Sequence, residues 1–229
     1  MRLYTGRAAL WLLGLAASTA CLEAPPEGNA GKDDGGFEPG GDDGGAGCDP
    51  IFQDTFAGTS VDTDAWTPGG STQPLVEGGE LLLELEGEGF SEVRSVGTYI
   101  PAEVSIEIEL SFDYTGAGIA IFEIDGPGDE MYSFFADQGL LRIFDSDAPL
   151  CDTGGCSPVV RTTAQRWRFR PDAGVLHFEV SIDLGEWEEI GAAPARETGH
   201  TLVLYAESAN EDLSRLAVSA ITVGDCSDE

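Results

Sequence analysis

From Glu103 to Phe112 every second side chain is apolar. Val104, Ile106, Ile108, Leu110 and Phe112 fall on one face, and Glu103, Ser105, Glu107, Glu109 and Ser111 on the other. Alternation with a period of two is the mark of a half-buried β-strand. The same pattern returns in 166–170, where Trp167 and Phe169 alternate with Arg166, Arg168 and Arg170. It returns again in 175–182, where Leu176, Phe178, Val180 and Ile182 alternate with His177, Glu179 and Ser181. Further strands are predicted at 52–56, 80–86, 92–100, 117–124, 131–136, 140–145, 159–163, 186–191, 200–207 and 214–223. Turn residues punctuate them: Gly78-Gly79, Asp125-Gly126-Pro127-Gly128, Asp137-Gln138-Gly139, Pro171-Asp172-Ala173-Gly174 and Asp183-Leu184-Gly185. No stretch carries a helical period. Many short strands with one apolar face each require two packed sheets, so the prediction is all-β: a two-sheet antiparallel jelly-roll sandwich over 48–229.

The first 47 residues do not follow this pattern. Arg2 and Arg7 precede an apolar run from Ala8 to Ala17, too short for a stable spanning helix, and then come Ser18-Thr19-Ala20-Cys21. This resembles a bacterial lipoprotein signal with its lipobox, although Ser18 stands where that family usually has Leu. The resemblance implies removal of residues 1–20, acylation of the Cys21 sulfur, and a membrane partner reached through the N-terminal lipid. It places the protein in the cell envelope, at the outer membrane, on the periplasmic or the surface side. Residues 22–47 are dominated by Gly, Pro, Asp and Glu. They have too little to bury to offset their ordering entropy, so 21–47 is expected to be a disordered tether.

Setting Cys21 aside leaves an even set: Cys48, Cys151, Cys156 and Cys226. Three pairings are possible in an oxidising compartment. Cys151 and Cys156 bracket a short loop with two glycines, and Cys48 and Cys226 bracket the folded part. The expected bonds are therefore 151–156 and 48–226. Zinc is disfavoured, because there is no CxxC pair and His177 and His200 sit at unrelated spacings.

Forty-two acids against eleven bases give a formal charge of −31. Phosphate binding needs a basic footprint, so nucleic acid is excluded as a partner.

A second resemblance covers most of 51–223. It rests on Phe52-Gln53-Asp54-Thr55-Phe56, then Asp62-Thr63-Asp64-Ala65-Trp66, then Val76-Glu77-Gly78-Gly79-Glu80-Leu81-Leu82-Leu83. It is completed by Trp167-Arg168-Phe169 and by the turn Ser181-Ile182-Asp183-Leu184-Gly185-Glu186-Trp187. Together these resemble the concanavalin A-like lectin/glucanase superfamily, which also takes in laminin-G-like sandwiches. The resemblance implies a jelly roll whose concave face often holds sugars. Laminarinase-like members carry E-x-D-x-x-E on one strand, and Glu123-Ile124-Asp125 matches its first half. A retaining mechanism needs two carboxyls about 5 Å apart. Here Gly126-Pro127-Gly128 ends the strand and leaves Glu130 out of register. The expectation is therefore a domain that is not an enzyme. Some members hold a structural calcium between an N-terminal-strand Asp, here Asp54, and an acid near the end of the last strand. Residues 216–223 hold no carboxylate, so no cofactor is expected.

Two groups of side chains remain. Arg166, Arg168 and Arg170 share a face and suggest either a track for acidic glycans or cross-strand ion pairs; pairing is favoured. If Trp167 opposes Phe178, Arg166 meets Glu179 and Arg168 meets His177, with Glu107 and Glu109 available to the rest. Phe134 and Phe135 are adjacent, so one of them faces outward. The candidate binding face is accordingly Tyr132, Phe134, Arg142 and Phe144. The function expected is non-catalytic binding of carbohydrate or another envelope component, with a protein-interaction or structural surface module as the alternative.

Overall fold

The computed structural model describes residues 48–85, 87–114, 118–137, 140–151, 157–158, 164–208 and 214–226. The expected signal, the expected lipidation site Cys21, the expected tether, Cys156 and the strand expected at 159–163 lie outside the described residues. In chain order the strands are β1 (Asp49–Asp54), β2 (Trp66–Gly70), β3 (Leu75–Glu77), β4 (Glu80–Leu85), β5 (Gly89–Ser95), β6 (Val104–Tyr114), β7 (Gly118–Asp125) and β8 (Met131–Asp137). They continue as β9 (Leu140–Asp145), β10 (Ala148–Pro149), β11 (Ser157–Pro158), β12 (Gln165–Asp172), β13 (Val175–Ile182), β14 (Glu188–Pro194), β15 (Thr201–Ser208) and β16 (Ser214–Asp225). No helix occurs among the described residues.

The strands form two antiparallel sheets, packed as the expected sandwich. Sheet A runs β14-β13-β12-β6-β16-β4-β3, and β1 also pairs with β16. Sheet B runs β10-β9-β8-β7-β15-β5-β2, and β11 also pairs with β9. β16 pairs with β6 along its whole length. Its other edge is shared, Ser214–Val218 lying against β4 and Ile221–Asp225 against β1. The expected bond between Cys48 and Cys226 closes the open end of that second pairing, beside Asp49↔Asp225. Cys151 is also disulfide-bonded.

Rings join the sheets. Phe122 and Phe134 from sheet B meet Phe169 at centroid distances of 5.0 and 4.8 Å, and Phe134 stacks on Trp167 at 5.4 Å. All four are fully buried, as are Phe178 and Trp66. The apolar half of each alternating strand supplies this layer, and that burial is the main force holding the sandwich together.

β3, β10 and β11 add to the expected strands and several bounds shift, β1 and β5 among them; two differences matter most. The β12–β13 hairpin is tighter, with Ala173 and Gly174 both at positive φ (48° and 80°) and Asp172 paired to Val175. A two-residue turn of this hand matches the twist of the strands. It puts Phe169 opposite Phe178 and Trp167 opposite Val180, two residues away from the expected register. β2 is the other surprise, because Thr67-Pro68-Gly69-Gly70 reads as loop. Its edge position tolerates proline. Gly70 is required there: its φ is +110°, and a Cβ would lie 2.4 Å from the Phe90 carbonyl oxygen.

Candidate functional site

Sheet B brings together the side chains with the best claim to chemistry. On β7, Ala120, Phe122 and Ile124 enter the core, so Ile119, Ile121, Glu123 and Asp125 face outward. On β8, Tyr132, Phe134 and Ala136 enter the core, which leaves Ser133, Phe135 and Asp137 outside. This corrects the candidate binding face. Tyr132 and Phe134 are fully buried, because only this phase of the alternation gives β8 a continuous apolar inner face. Phe135 is the outward ring of the adjacent pair. Arg142 lies directly opposite Phe135, and Phe144 meets the same ring edge-on at 6.0 Å, so those two expected residues do sit on the outer face.

Strand pairing lines up two rows across this face. One reads Arg94, Val203, Glu123, Ser133, Phe144, and the other Glu92, Tyr205, Ile121, Phe135, Arg142. The centre of the first row is buried although it faces outward: Val203 is 1% exposed, Ser133 3% and Glu123 8%. Rings stand to either side. Phe90 stacks on Tyr205 at 5.6 Å at the β5–β15 end, and Phe135 with Phe144 marks the β8–β9 end. Phe90 and Tyr205 escaped the sequence reading, since nothing local shows that β5 and β15 are neighbours.

The charged groups of this face are tied to one another. Arg94 Nη1 bonds Asp125 Oδ2 at 3.1 Å, and its Nε lies 3.6 Å from Glu92. Arg142 lies 3.9 Å from Asp137. Burial pushes the Asp137 carboxyl above the usual carboxylate range, and Arg142 offsets part of that rise. The Tyr205 hydroxyl donates to Glu207 at 2.6 Å. Glu130 lies beyond the turn, where Gly126 N–H donates to its carbonyl at 2.8 Å and its carboxylate accepts from Thr198 at 3.0 Å. β7 therefore presents Glu123 and Asp125 alone. Two residues along a strand place their Cα atoms about 7 Å apart, within reach of one glycosidic bond for acid and base work.

Asp54 has a local role. Its Oδ1 accepts from Phe56 N–H and its Oδ2 from Trp66 Nε1, both at 2.8 Å, which fixes the exit of β1 against β2. Among the described residues no group of three or more His, Cys, Asp or Glu side chains is placed to hold a metal.

The arginine stripe lies on the outer face of sheet A and is paired, in the register set by the tighter hairpin. Arg168 and Arg170 grip the two oxygens of Glu179 at 2.7 and 3.0 Å, and Arg166 lies 3.7 Å from Glu107. Burial pushes the Glu107 carboxyl up, against the pull of Arg166 and Arg168. Trp187 packs beneath two of the guanidinium groups, 4.8 Å from Arg166 and 4.0 Å from Arg168.

No protein-family model matches the chain, and no curated protein sequence matches it. Solved structures do. One is an endo-acting O-glycanase that members of the human gut microbiota express to initiate mucin breakdown: 14% identity, TM-score 0.61, covering 77% of this chain and 99% of that one. Another is the catalytic domain of an endo-1,3-β-glucanase (laminarinase) from Thermotoga petrophila, with 12% identity, TM-score 0.57 and 77% and 97% of the two chains. A third is the Emp47p carbohydrate recognition domain, with 11% identity, TM-score 0.55 and 75% and 93%. The fold is thus the concanavalin A-like jelly roll of lectins and glucanases; at these identities the likeness is one of fold. It also overturns the expectation that the domain is not an enzyme, since the same fold carries a glycanase and the catalytic domain of a laminarinase.

Proposed function

We propose that this is an exported, Cys21-anchored domain that engages a carbohydrate chain across the outer face of sheet B. One observation carries the reading: two ring pairs flank a buried, outward-facing carboxylate, Glu123. With strands about 4.8 Å apart, the pairs stand roughly 14 Å from each other. That span suits a chain lying across the strands, with sugar rings on the aromatic faces and hydroxyls toward Ser133 and Glu123. The fold shared with a glycanase, a laminarinase and a carbohydrate recognition domain supports it. Hydrolysis of the bound chain is the second reading, favoured by Glu123 and Asp125 on one face of one strand.

The test is affinity electrophoresis of the full-length protein in gels holding a β-1,3-glucan or mucin O-glycans, with reducing ends measured in parallel incubations. Retardation by at least one glycan is expected, reduced about tenfold by Tyr205→Ala or Phe135→Ala, a loss of ~1.4 kcal/mol. Free mobility with every glycan overturns the binding reading. New reducing ends that disappear in Glu123→Gln support hydrolysis. For the anchor, mass spectrometry of the membrane fraction is expected to find an acylated N-terminal Cys21; an unmodified Cys21 in a soluble product overturns it.

A further inference from the structure

Resting on the reading that the outer face of sheet B takes a glycan, we infer that it takes chains free of anionic groups, and that Asp125 and Asp137 enforce this by each holding an arginine of that face. Recognition of a carboxylate or sulfate needs a guanidinium or ammonium with donors to spare. Among the described residues this face offers two cations, Arg94 and Arg142. Arg94 is taken by Asp125 at 3.1 Å and Glu92 at 3.6 Å, and Arg142 by Asp137 at 3.9 Å.

Carboxylates outnumber them. Glu92, Glu123, Asp125, Asp137 and Glu207 share the face, five acids against two arginines. These acids lie on the adjacent strands β5, β15, β7 and β8, spaced about 4.8 Å apart, so a chain crossing the face passes one carboxylate after another at a spacing comparable to the screening length, about 8 Å at physiological salt. An anionic sugar would meet a negative field and would have to displace a carboxylate from its arginine. No other described arginine is free to help. Arg166 is paired with Glu107, Arg168 and Arg170 with Glu179, Arg196 with Asp145, and Arg215 with Glu84. The chain's formal charge of −31 acts in the same direction at longer range. An uncharged chain meets none of these costs and keeps the ring contacts.

Matched glycan pairs give the test. Binding of the full-length protein is measured to a β-1,3-glucan and its carboxymethylated form, and to mucin O-glycans before and after removal of sialic acid and sulfate. The uncharged member of each pair is expected to bind at least tenfold more tightly at low salt, with the gap closing as salt rises. Asp137→Asn frees Arg142, and Asp125→Asn frees part of Arg94. Each is expected to narrow the gap severalfold by raising affinity for the anionic member. An anionic member that binds as tightly as its uncharged partner overturns the inference while leaving glycan binding intact. A gap that neither variant narrows removes the two aspartates from the explanation. Failure of every member to bind overturns the glycan reading and this inference with it.

Discussion

Glu179 is the most consequential polar side chain on sheet A. It lies on an outer face yet is only 8% exposed; its two oxygens accept from Nε of Arg168 at 2.7 Å and Nε of Arg170 at 3.0 Å, and Nη2 of each arginine lies at the same distance as an ion pair. Glu179→Ala leaves two guanidinium groups side by side, next to a third at Arg166. Breaking a buried pair by deleting one partner costs about 3–5 kcal/mol. Both arginine side chains keep some solvent, 18% and 27% exposed, which lowers the expected loss to about 2–4 kcal/mol. A guanidinium keeps its proton even without a partner, so neither arginine can escape by losing its charge. The assay is urea unfolding followed by tryptophan fluorescence, with the disulfides intact. Replacing all three residues by Met is expected to recover most of the loss, since a whole ionic cluster can be exchanged for apolar packing at little cost. A loss under about 1 kcal/mol for Glu179→Ala, or a triple variant less stable than the single one, would refute the reasoning.

Three further outcomes are expected. Phe134→Ala should cost about 3–5 kcal/mol in the same assay and Phe135→Ala under ~1, while only the latter weakens glycan binding; equal losses would contradict the inward and outward assignment. Cys48→Ser with Cys226→Ser opens a loop of sequence separation 178. About 5 kcal/mol is the chain-entropy limit for a loop that long, and a measured loss of roughly 3–5 is expected, whereas a melt unchanged from the parent would show that β1 holds without the bond. Burial pushes the Tyr132 phenol from 10.0 up to about 12, with its hydroxyl donating to the Pro194 carbonyl. The folded state therefore keeps a proton that the unfolded state releases, so stability is present below pH 10 and falls as pH rises toward about 12. Tyr132→Phe should flatten that fall and remove a phenol that ionises near pH 12 in an ultraviolet titration; an unaltered alkaline profile would count against it.

The strands of the core could be read from the chain alone. Period-two alternation located β6, β12 and β13 and named core residues on each, Ile106, Trp167 and Phe178 among them, because side-chain direction along a strand is a local property. The 48–226 bond was legible because the two cysteines bracket the patterned region, and the pairing of the arginines because acids alternate on the neighbouring strands. Local pattern failed wherever the answer depended on a partner. Phe134-Phe135 is symmetrical until β8 is placed between β7 and β9, and the hairpin register hung on whether the turn used two residues or four. β2 was invisible, since its proline and glycines make sense only at a sheet edge beside Phe90.

Alternation says which way each residue points, and along this chain it was enough to specify two apolar faces and the sandwich they make. It does not say which strand lies beside which. The order β5-β15-β7-β8-β9 gathers Phe90, Tyr205, Glu123 and Phe135 from distant parts of the chain and binds Arg94 to Asp125. Those contacts exist only because backbone hydrogen bonding between strands remote in sequence selects one order and one register for the whole sheet.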